Sequence, residues 1–148
     1  MYLLDTNHCS QFIFGNSLIQ EKIKTLDLDL IVTSTIVRGE LIYMAQKSER
    51  KLENERVVQG FMNQIAIYPV DETIADCYGR LKAKVIDYFG PREREKRRRY
   101  TIQDAGIDDN DLWIAATTIV YQLTLVSTDS DLKRVQAVEF FPLENWLV

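Results

Sequence analysis

Four acidic residues, Asp5, Glu40, Asp111 and Asp129, have settings that suit metal chemistry. Asp5 ends the first apolar run, Asp129 follows the run LTLVST, and Asp111 lies in the first turn of the helix predicted just before that run. In a parallel sheet, these three positions fall at the edge where ligands bind. Glu40 lies inside a predicted helix on a largely apolar face, where an ionised carboxylate needs a partner. The four carboxylates are therefore candidates for one site.

A cluster of such carboxylates needs a cation. Two carboxylates about 4 Å apart repel by roughly 4 kcal/mol at an effective dielectric constant near 20. Oxygen ligands favour Mg²⁺ or Mn²⁺ over Zn²⁺, because Cys9 and Cys77 are too few and too scattered for a thiolate site. Waters kept by such an ion supply a nucleophile, so the pattern indicates metal-assisted hydrolysis.

Each acid also has a purely structural interpretation. Asp5 and Asp129 could serve as helix N-caps. Asp111 could complete a capping box, or place negative charge at the positive end of a helix. Glu40 could form a buried ion pair with a basic residue. The residues that could provide its partner are Arg80 and Lys82.

The single histidine limits the metal-free alternatives. A nuclease that uses paired histidines needs two of them, and a Ser or Cys triad needs a histidine placed as the base. Only His8 and Cys9 could form such a nucleophile and base pair. Because adjacent residues on a helix point in different directions, we do not expect this pair to react together.

Apolar periodicity predicts strands that alternate with helices. Strands are predicted in the opening MYLLDTN run and at residues 30–33, 66–70, 123–128 and 139–141; helices are predicted from Thr6 or Asn7, from Ser34 or Thr35 to about Gln46, through 52–65, over 71–89, from Asp108 to Val120, and after Asp129. Residues 100–106 are predicted to form a polar loop. Parallel neighbours need crossover connections, so this order predicts an α/β sandwich with a mainly parallel sheet.

Composition narrows the class of protein. The chain has 148 residues, of which 46% are hydrophobic, and this fits a single domain over residues 1–148. Asp5 interrupts the first apolar run, and no stretch approaches the roughly 18 apolar residues of a membrane helix. We therefore expect a cytoplasmic protein with no membrane partner. The net charge of −4 argues against a polyanionic partner.

A local basic segment departs from that average charge. Residues 92–99 follow Gly90 and Pro91 and are almost all charged. The substrate-binding candidates in this segment are Arg92, Arg94, Arg97, Arg98 and Arg99. They could hold nucleic-acid phosphates beside an acidic site that would otherwise repel them. Equally, the segment could be a solvated helix end in which Glu93 and Glu95 form ion pairs with the basic residues of the same segment.

The segments LLDTN, STIVRGEL, DNDLWIAAT and LVSTDSDLKRV resemble, in order and spacing, the four acidic motifs of PIN-domain proteins, most closely VapC-type toxins. The resemblance extends over essentially the whole chain. An aspartate after a strand is common, so no single motif is specific. A helix that starts with a DxxIAAT-like motif and is followed by a strand, a threonine and an aspartate is distinctive.

The resemblance implies a three-layer α/β/α sandwich that cleaves single-stranded or loop RNA with Mg²⁺ or Mn²⁺, leaving a 5′-phosphate and a 3′-hydroxyl. It puts Asp5, Glu40, Asp111 and Asp129 at the acidic positions, with Glu40 orienting or deprotonating the attacking water. A transfer RNA is the substrate that the family suggests.

The resemblance also assigns neighbouring residues. Asn7 and Thr128 correspond to polar residues that accompany the acids, and both are candidates for substrate binding. Asp131 lies where some family members have a second acid, so it could bind a second metal ion or its water. Alternatively, Asp131 is only an acid in the first turn of a helix.

The family further implies protein partners. VapC-type proteins form homodimers, and a small VapB-like antitoxin silences them by placing a helix in an apolar groove, here within residues 34–64. Exposed members of one apolar set would line that groove, although all of them could equally be core. The set is Ile42, Val58, Phe61 and Met62.

Three other classes also place acids at strand ends. A receiver module has adjacent acids near its first strand and a lysine ending a late strand, whereas here Asn7 follows Thr6 and LVST leads to Asp129. A haloacid-dehalogenase-like phosphatase has a second aspartate at the position of Asn7. The remaining alternative is a non-catalytic, PIN-like or receiver-like module with a divalent-metal site that only binds RNA or protein, and the presence of all four acids argues against it.

Overall fold

Five strands and eight helices make up the computed structural model, which describes residues 1–148. The strands are β1 Tyr2–Leu4, β2 Ile31–Ser34, β3 Ala66–Tyr68, β4 Thr124–Val126 and β5 Leu143–Glu144. The helices are α1 Thr6–Ile13, α2 Ser17–Lys24, α3 Thr35–Lys47, α4 Lys51–Met62, α5 Glu72–Phe89, α6 Arg94–Arg99, α7 Asp109–Val120 and α8 Ser130–Val138. None of these helices is both long and apolar enough to cross a bilayer.

The strands form one parallel sheet in the order β3-β2-β1-β4-β5. The chain runs outward from β1 to β3 and then returns to β4 on the other side of β1. Strand order therefore reverses between β1 and β4, where Leu3 pairs with Leu125. Crossover connections that leave in opposite directions open a crevice beyond the carboxyl ends of two such strands.

Helices cover both faces of the sheet. Right-handed crossovers place α1 to α4 on one face and α5, α7 and α8 on the other. The helix contacts agree, since α3 packs on α4 and α1, while α5 packs on α7 and α8. A cluster of 27 buried apolar residues fills the space between the layers. The predicted three-layer α/β/α sandwich with a mainly parallel sheet is confirmed.

The strand predicted at residues 139–141 is wrong. Glu139 is the C-cap of α8, and Phe141 turns into the core with 2% exposure. The Gln136 side chain donates to the Phe141 carbonyl at 2.6 Å. Pairing with β4 begins one residue later, where Leu125 N donates to the Pro142 carbonyl at 2.9 Å. Burial of Phe141 therefore shifts the edge strand to Leu143–Glu144.

Two further segments differ from the sequence predictions. The chain between β1 and β2 contains the additional helix α2, which is capped by the Asn16 side chain. The loop at residues 100–106 is not simply polar, because Ile102 and Ala105 are buried. Its turn ends at Gly106, whose φ of +69° is a conformation that L side chains rarely adopt.

The apolar set assigned to a partner groove belongs to the core. Val58, Phe61 and Met62 are buried, and Ile42 is half-buried against the same cluster. Val58, Phe61 and Met62 therefore cannot line a groove, and for these three the alternative that they are core holds. The exposed apolar residues of α3 and α4 are Tyr43, Met44, Leu52 and Val57.

Replacing Leu125 by alanine tests the position of the core. Leu125 is fully buried in β4 between β1 and β5. We expect Leu125→Ala to lower the free energy of unfolding by about 2–5 kcal/mol, because it removes buried methyl groups and leaves a cavity. The matched control Phe140→Ala changes a side chain that is 78% exposed, and urea unfolding should show roughly 0.5 kcal/mol or less. Equal losses in the two variants would contradict this core.

Candidate active site

A cleft of about 410 Å³ opens where strand order reverses. Its lining residues are Asp5, Thr6, Asn7, Ser10, Glu40, Tyr43, Met44, Asp108, Asp111, Ile114 and Asp129. Asp5 follows β1, Asp129 follows the end of β4, and Asp111 lies in the first turn of α7. All four acids predicted from the sequence therefore border the same cleft.

Asp5 and Asp129 are both helix N-caps. Asp5 Oδ1 accepts from the His8 backbone N–H at 2.7 Å, and Asp129 Oδ1 accepts from the Asp131 backbone N–H at 2.7 Å. Asp5 is buried, whereas Asp129 is exposed. Because each cap uses one carboxylate oxygen, capping leaves the other oxygen for a ligand. The structural and the functional interpretations are thus compatible.

The tightest group of acids is Asp111, Asp129 and Asp131. One carboxylate oxygen from each lies within 4.8 Å of the others. Burial, followed by the neighbouring charge of Asp129, raises the pKa of Asp111 to about 8. The basic residue at this group is Arg134, at 3.7 Å from Asp131. Asp111 thus lacks a compensating positive charge of its own.

Glu40 is held by two neutral donors. Asn110 Nδ2 donates to Glu40 Oε1 at 2.9 Å, and the Thr6 hydroxyl donates to Glu40 Oε2. The predicted alternative of an ion pair with Lys82 or Arg80 is wrong, because Lys82 pairs with Asp109 at 3.3 Å. Packing of α3 against α1 and α7 brings Glu40 to its two donors.

The donor set fits a hard divalent cation. The three clustered groups offer only carboxylate oxygens, the ligands that Mg²⁺ and Mn²⁺ prefer. Burial and then the neighbouring carboxylates raise the pKa of Asp111, and a cation at this place would favour its ionised form. Asp111, Asp129 and Asp131 could hold the ion. Asp5 and Glu40 border the same cleft outside that tight group.

The predicted substrate-binding residues fall into two places. Asn7 borders the cleft, and its Nδ2 donates to Thr128 Oγ1 at 3.2 Å. Residues 94–99 of the basic segment form α6, and no residue of the segment borders the cleft. Within it, Lys96 pairs with Glu93 at 2.9 Å and Arg97 lies 3.7 Å from Asp87. The exposed arginines that form no ion pair in the structure are Arg92, Arg94, Arg98 and Arg99.

The pair His8 and Cys9 does not form a nucleophile and base. Cys9 is fully buried, and burial raises the pKa of its thiol far above the usual range. Its Sγ lies 3.7 Å from the Leu4 carbonyl, while the His8 ring contacts Asp5 instead. A thiolate mechanism is therefore incompatible with this geometry.

Sequence reasoning missed the two donors to Glu40. Thr6 follows Asp5 in the LLDTN segment, and Asn110 precedes Asp111 at the start of α7. A weak signal was available, because polar residues next to two predicted ligands at helix starts share their position in space. The sequence could not show which acid they contact.

Comparisons with a family model and with a known protein indicate the same family. The family model of the PIN domain matches residues 2–138. The chain is 30% identical over 150 residues to Ribonuclease VapC2 of Rickettsia felis, and the match covers 99% of this chain and 98% of that protein. The part of the chain that the family model matches contains all the acids that border the cleft.

Solved structures share the fold. The crystal structure of VapBC2 from Rickettsia felis bound to a DNA fragment from the promoter superposes with a TM-score of 0.73 at 27% identity, covering 98% of each chain. DNA-bound VapBC from Salmonella typhimurium has a TM-score of 0.76 at 24% identity, covering 98% of this chain and 97% of that one. With the family model matching residues 2–138 and a relative 30% identical over nearly its whole length, this chain belongs to the PIN-domain family.

Proposed function

We propose that the chain is a metal-dependent endoribonuclease that uses Mg²⁺ or Mn²⁺ in one nuclease domain over residues 1–148. The observation that carries the proposal is the acidic cleft, in which the pKa of Asp111 is raised to about 8 by burial and by neighbouring carboxylates. RNA as substrate is supported by the 30% identical relative, which is a ribonuclease by name.

The acids divide into ligands and a base. Asp111, Asp129 and Asp131 would hold the ion, with Asp5 as a further ligand, directly or through water. An ion held there would supply Lewis-acid chemistry, because it would stabilise charge on the scissile phosphate and lower the pKa of water. Glu40 stays outside the tight group and is free for another role.

Glu40 would orient the attacking water and accept its proton. Asn110 and Thr6 each donate one hydrogen bond to it, which fixes the plane of the carboxylate. The water oxygen would attack phosphorus as the bond to the 3′ oxygen breaks. One product then carries a 5′-phosphate, and the leaving 3′ oxygen of the other takes a proton from solvent and becomes a 3′-hydroxyl.

Substrate binding would combine polar and basic contacts. The linked side chains of Asn7 and Thr128 lie beside Asp129 and are suited to contacts with RNA near the cleft. The exposed arginines without an ion pair could neutralise phosphates farther along the strand. They are Arg92, Arg94, Arg98 and Arg99. Arg97 differs from them because it lies 3.7 Å from Asp87.

The biological role that we propose is a cytoplasmic toxin of a toxin-antitoxin pair. Two similar solved structures are VapBC complexes, one from Rickettsia felis and one from Salmonella typhimurium. By analogy, the partners of this chain would be a VapB-like antitoxin and a second copy of the chain, and the substrate would be an RNA such as a transfer RNA. The alternative is a non-catalytic module that binds a divalent metal.

Cleavage of total transfer RNA tests the proposal. We expect wild-type protein to cut RNA with Mg²⁺ or Mn²⁺ and to lose activity with a chelator. Asp111→Asn should lower the rate by about 100-fold or more, because it removes a charge that helps to hold the ion. The readout is the appearance of 5′-phosphorylated fragments.

The matched control is Asp76→Asn, which makes the same change at an exposed helix position. It should cut RNA at the wild-type rate. Cleavage that survives chelation, or that Asp111→Asn leaves intact, would contradict the metal mechanism. Metal binding by folded protein without cleavage of any RNA would favour the non-catalytic module.

The pKa of Asp111 also predicts how stability depends on pH. A carboxyl whose pKa is raised from 3.8 to about 8 by folding makes the metal-free protein lose stability as the pH rises across that interval. Asp111→Asn removes this loss. At pH 8.5, we expect the variant to be more stable than wild type by roughly 1 kcal/mol, a discounted value because the group is partly solvated.

Thermal unfolding in chelator from pH 5 to pH 9 measures this difference. The gap between variant and wild type should widen as the pH rises, and Asp76→Asn should follow wild type. Parallel curves for wild type and Asp111→Asn would show that folding does not raise this pKa.

A further inference from the structure

His8 is the chain's only histidine, and the proposed function gives it no role. It is fully buried, and its two ring nitrogens have different partners. Nδ1 lies 2.9 Å from Asp5 Oδ1, and Nε2 lies 3.4 Å from the backbone nitrogen of Trp146. The imidazole therefore links an acid of the cleft to the C-terminal segment.

The two contacts select one tautomer. An ionised carboxylate only accepts, so Nδ1 must donate to Asp5, and a backbone N–H only donates, so Nε2 must accept from Trp146. The neutral Nδ1–H form satisfies both contacts. A proton on Nε2 would instead point at the N–H of Trp146.

The C-terminal segment holds the far side of the ring. Trp146 is buried, its ring packs edge-on against Tyr2 at 5.1 Å, and its indole N–H donates to Glu144 at 2.8 Å. The backbone N–H of Trp146 is thus fixed by contacts that do not involve the cleft. This leaves His8 little freedom to rotate away from Asp5.

Both hydrogen bonds to Asp5 reach the same oxygen. Oδ1 accepts from the His8 backbone N–H at 2.7 Å and from the ring at 2.9 Å, and the structure shows no hydrogen bond to Oδ2. Every fully buried side-chain oxygen in the structure has a hydrogen-bond partner. Since Oδ2 has none, it is not fully buried, and it is the oxygen through which Asp5 reaches the cleft. The terminal torsion of an aspartate is broad, and a single cap bond restrains it weakly.

We propose that His8 is a positioning residue that fixes the Asp5 carboxylate with Oδ1 turned inward and Oδ2 presented to a divalent cation in the cleft. The inference rests on the proposed function in assigning a cation to this cleft. Groups that orient a ligand in this way typically change metal affinity when they are removed.

A matched pair of variants tests the proposal. The amide of His8→Asn can donate to Asp5 where Nδ1 does, whereas His8→Leu is of similar size and cannot donate. Both variants lose the contact with Trp146, so effects of a loosened C-terminal segment are the same in each. The measurement is the dissociation constant of Mn²⁺ by titration calorimetry, without RNA.

We expect His8→Leu to raise the Mn²⁺ dissociation constant by about tenfold, while His8→Asn stays within about threefold of wild type. Equal values for the two variants would show that His8 only packs, which would overturn the proposal. Wild-type protein that binds Mn²⁺ but cuts no RNA would refute the proposed function alone, because the comparison of the variants would still decide the role of His8. Wild-type protein that binds no Mn²⁺ would refute both.

A measurement on the wild-type protein covers the case in which His8→Leu does not fold. Nitrogen chemical shifts of ¹⁵N-labelled histidine distinguish the two neutral tautomers. The proposal requires the Nδ1–H form, with its ring N–H signal shifting on addition of Mg²⁺. Observation of the Nε2–H form would overturn it.

Discussion

The reversal of strand order between β1 and β4 is the constraint on which the site depends. It opens a crevice at the carboxyl ends of these strands, and the residue that caps each following helix lies at its edge. Asp5 and Asp129 occupy those cap positions, and α7 starts beside them with Asp111 in its first turn. The same hydrogen bonds that start the helices therefore bring like charges together.

The cluster of carboxylates destabilises the folded chain locally, but it creates a site that a cation can bind. Asp111 resists ionisation because it is half-buried beside Asp129, and a cation would remove this difficulty. The other two acids are oriented by hydrogen bonds: Asn110 and Thr6 donate to Glu40, and His8 donates to Asp5. None of these donors is a lysine or an arginine, so the contacts orient the carboxylates and leave them available to a cation.

Sequence alone predicted the sandwich, the positions of most elements and the acids of the cleft, because strand-end acids and helix periodicity are local signals. It did not predict what contacts Glu40, since Thr6 and Asn110 approach from two other helices only after packing. The last strand was misplaced because burial of Phe141 outweighs its β propensity. Asp131 was a candidate metal ligand only through the family resemblance, since its place in the tight group follows from the geometry of the first turn of α8, which residue type does not specify.

The most direct test of the central claim is anomalous diffraction from crystals of the wild-type protein grown with Mn²⁺. We expect one anomalous peak in the cleft, beside the carboxylates of Asp111 and Asp129, and no such peak in Asp111→Asn crystals grown in the same way. A cleft without a peak at saturating Mn²⁺, or a peak only at acids elsewhere on the surface, would contradict the claim that these carboxylates converge to hold a metal ion.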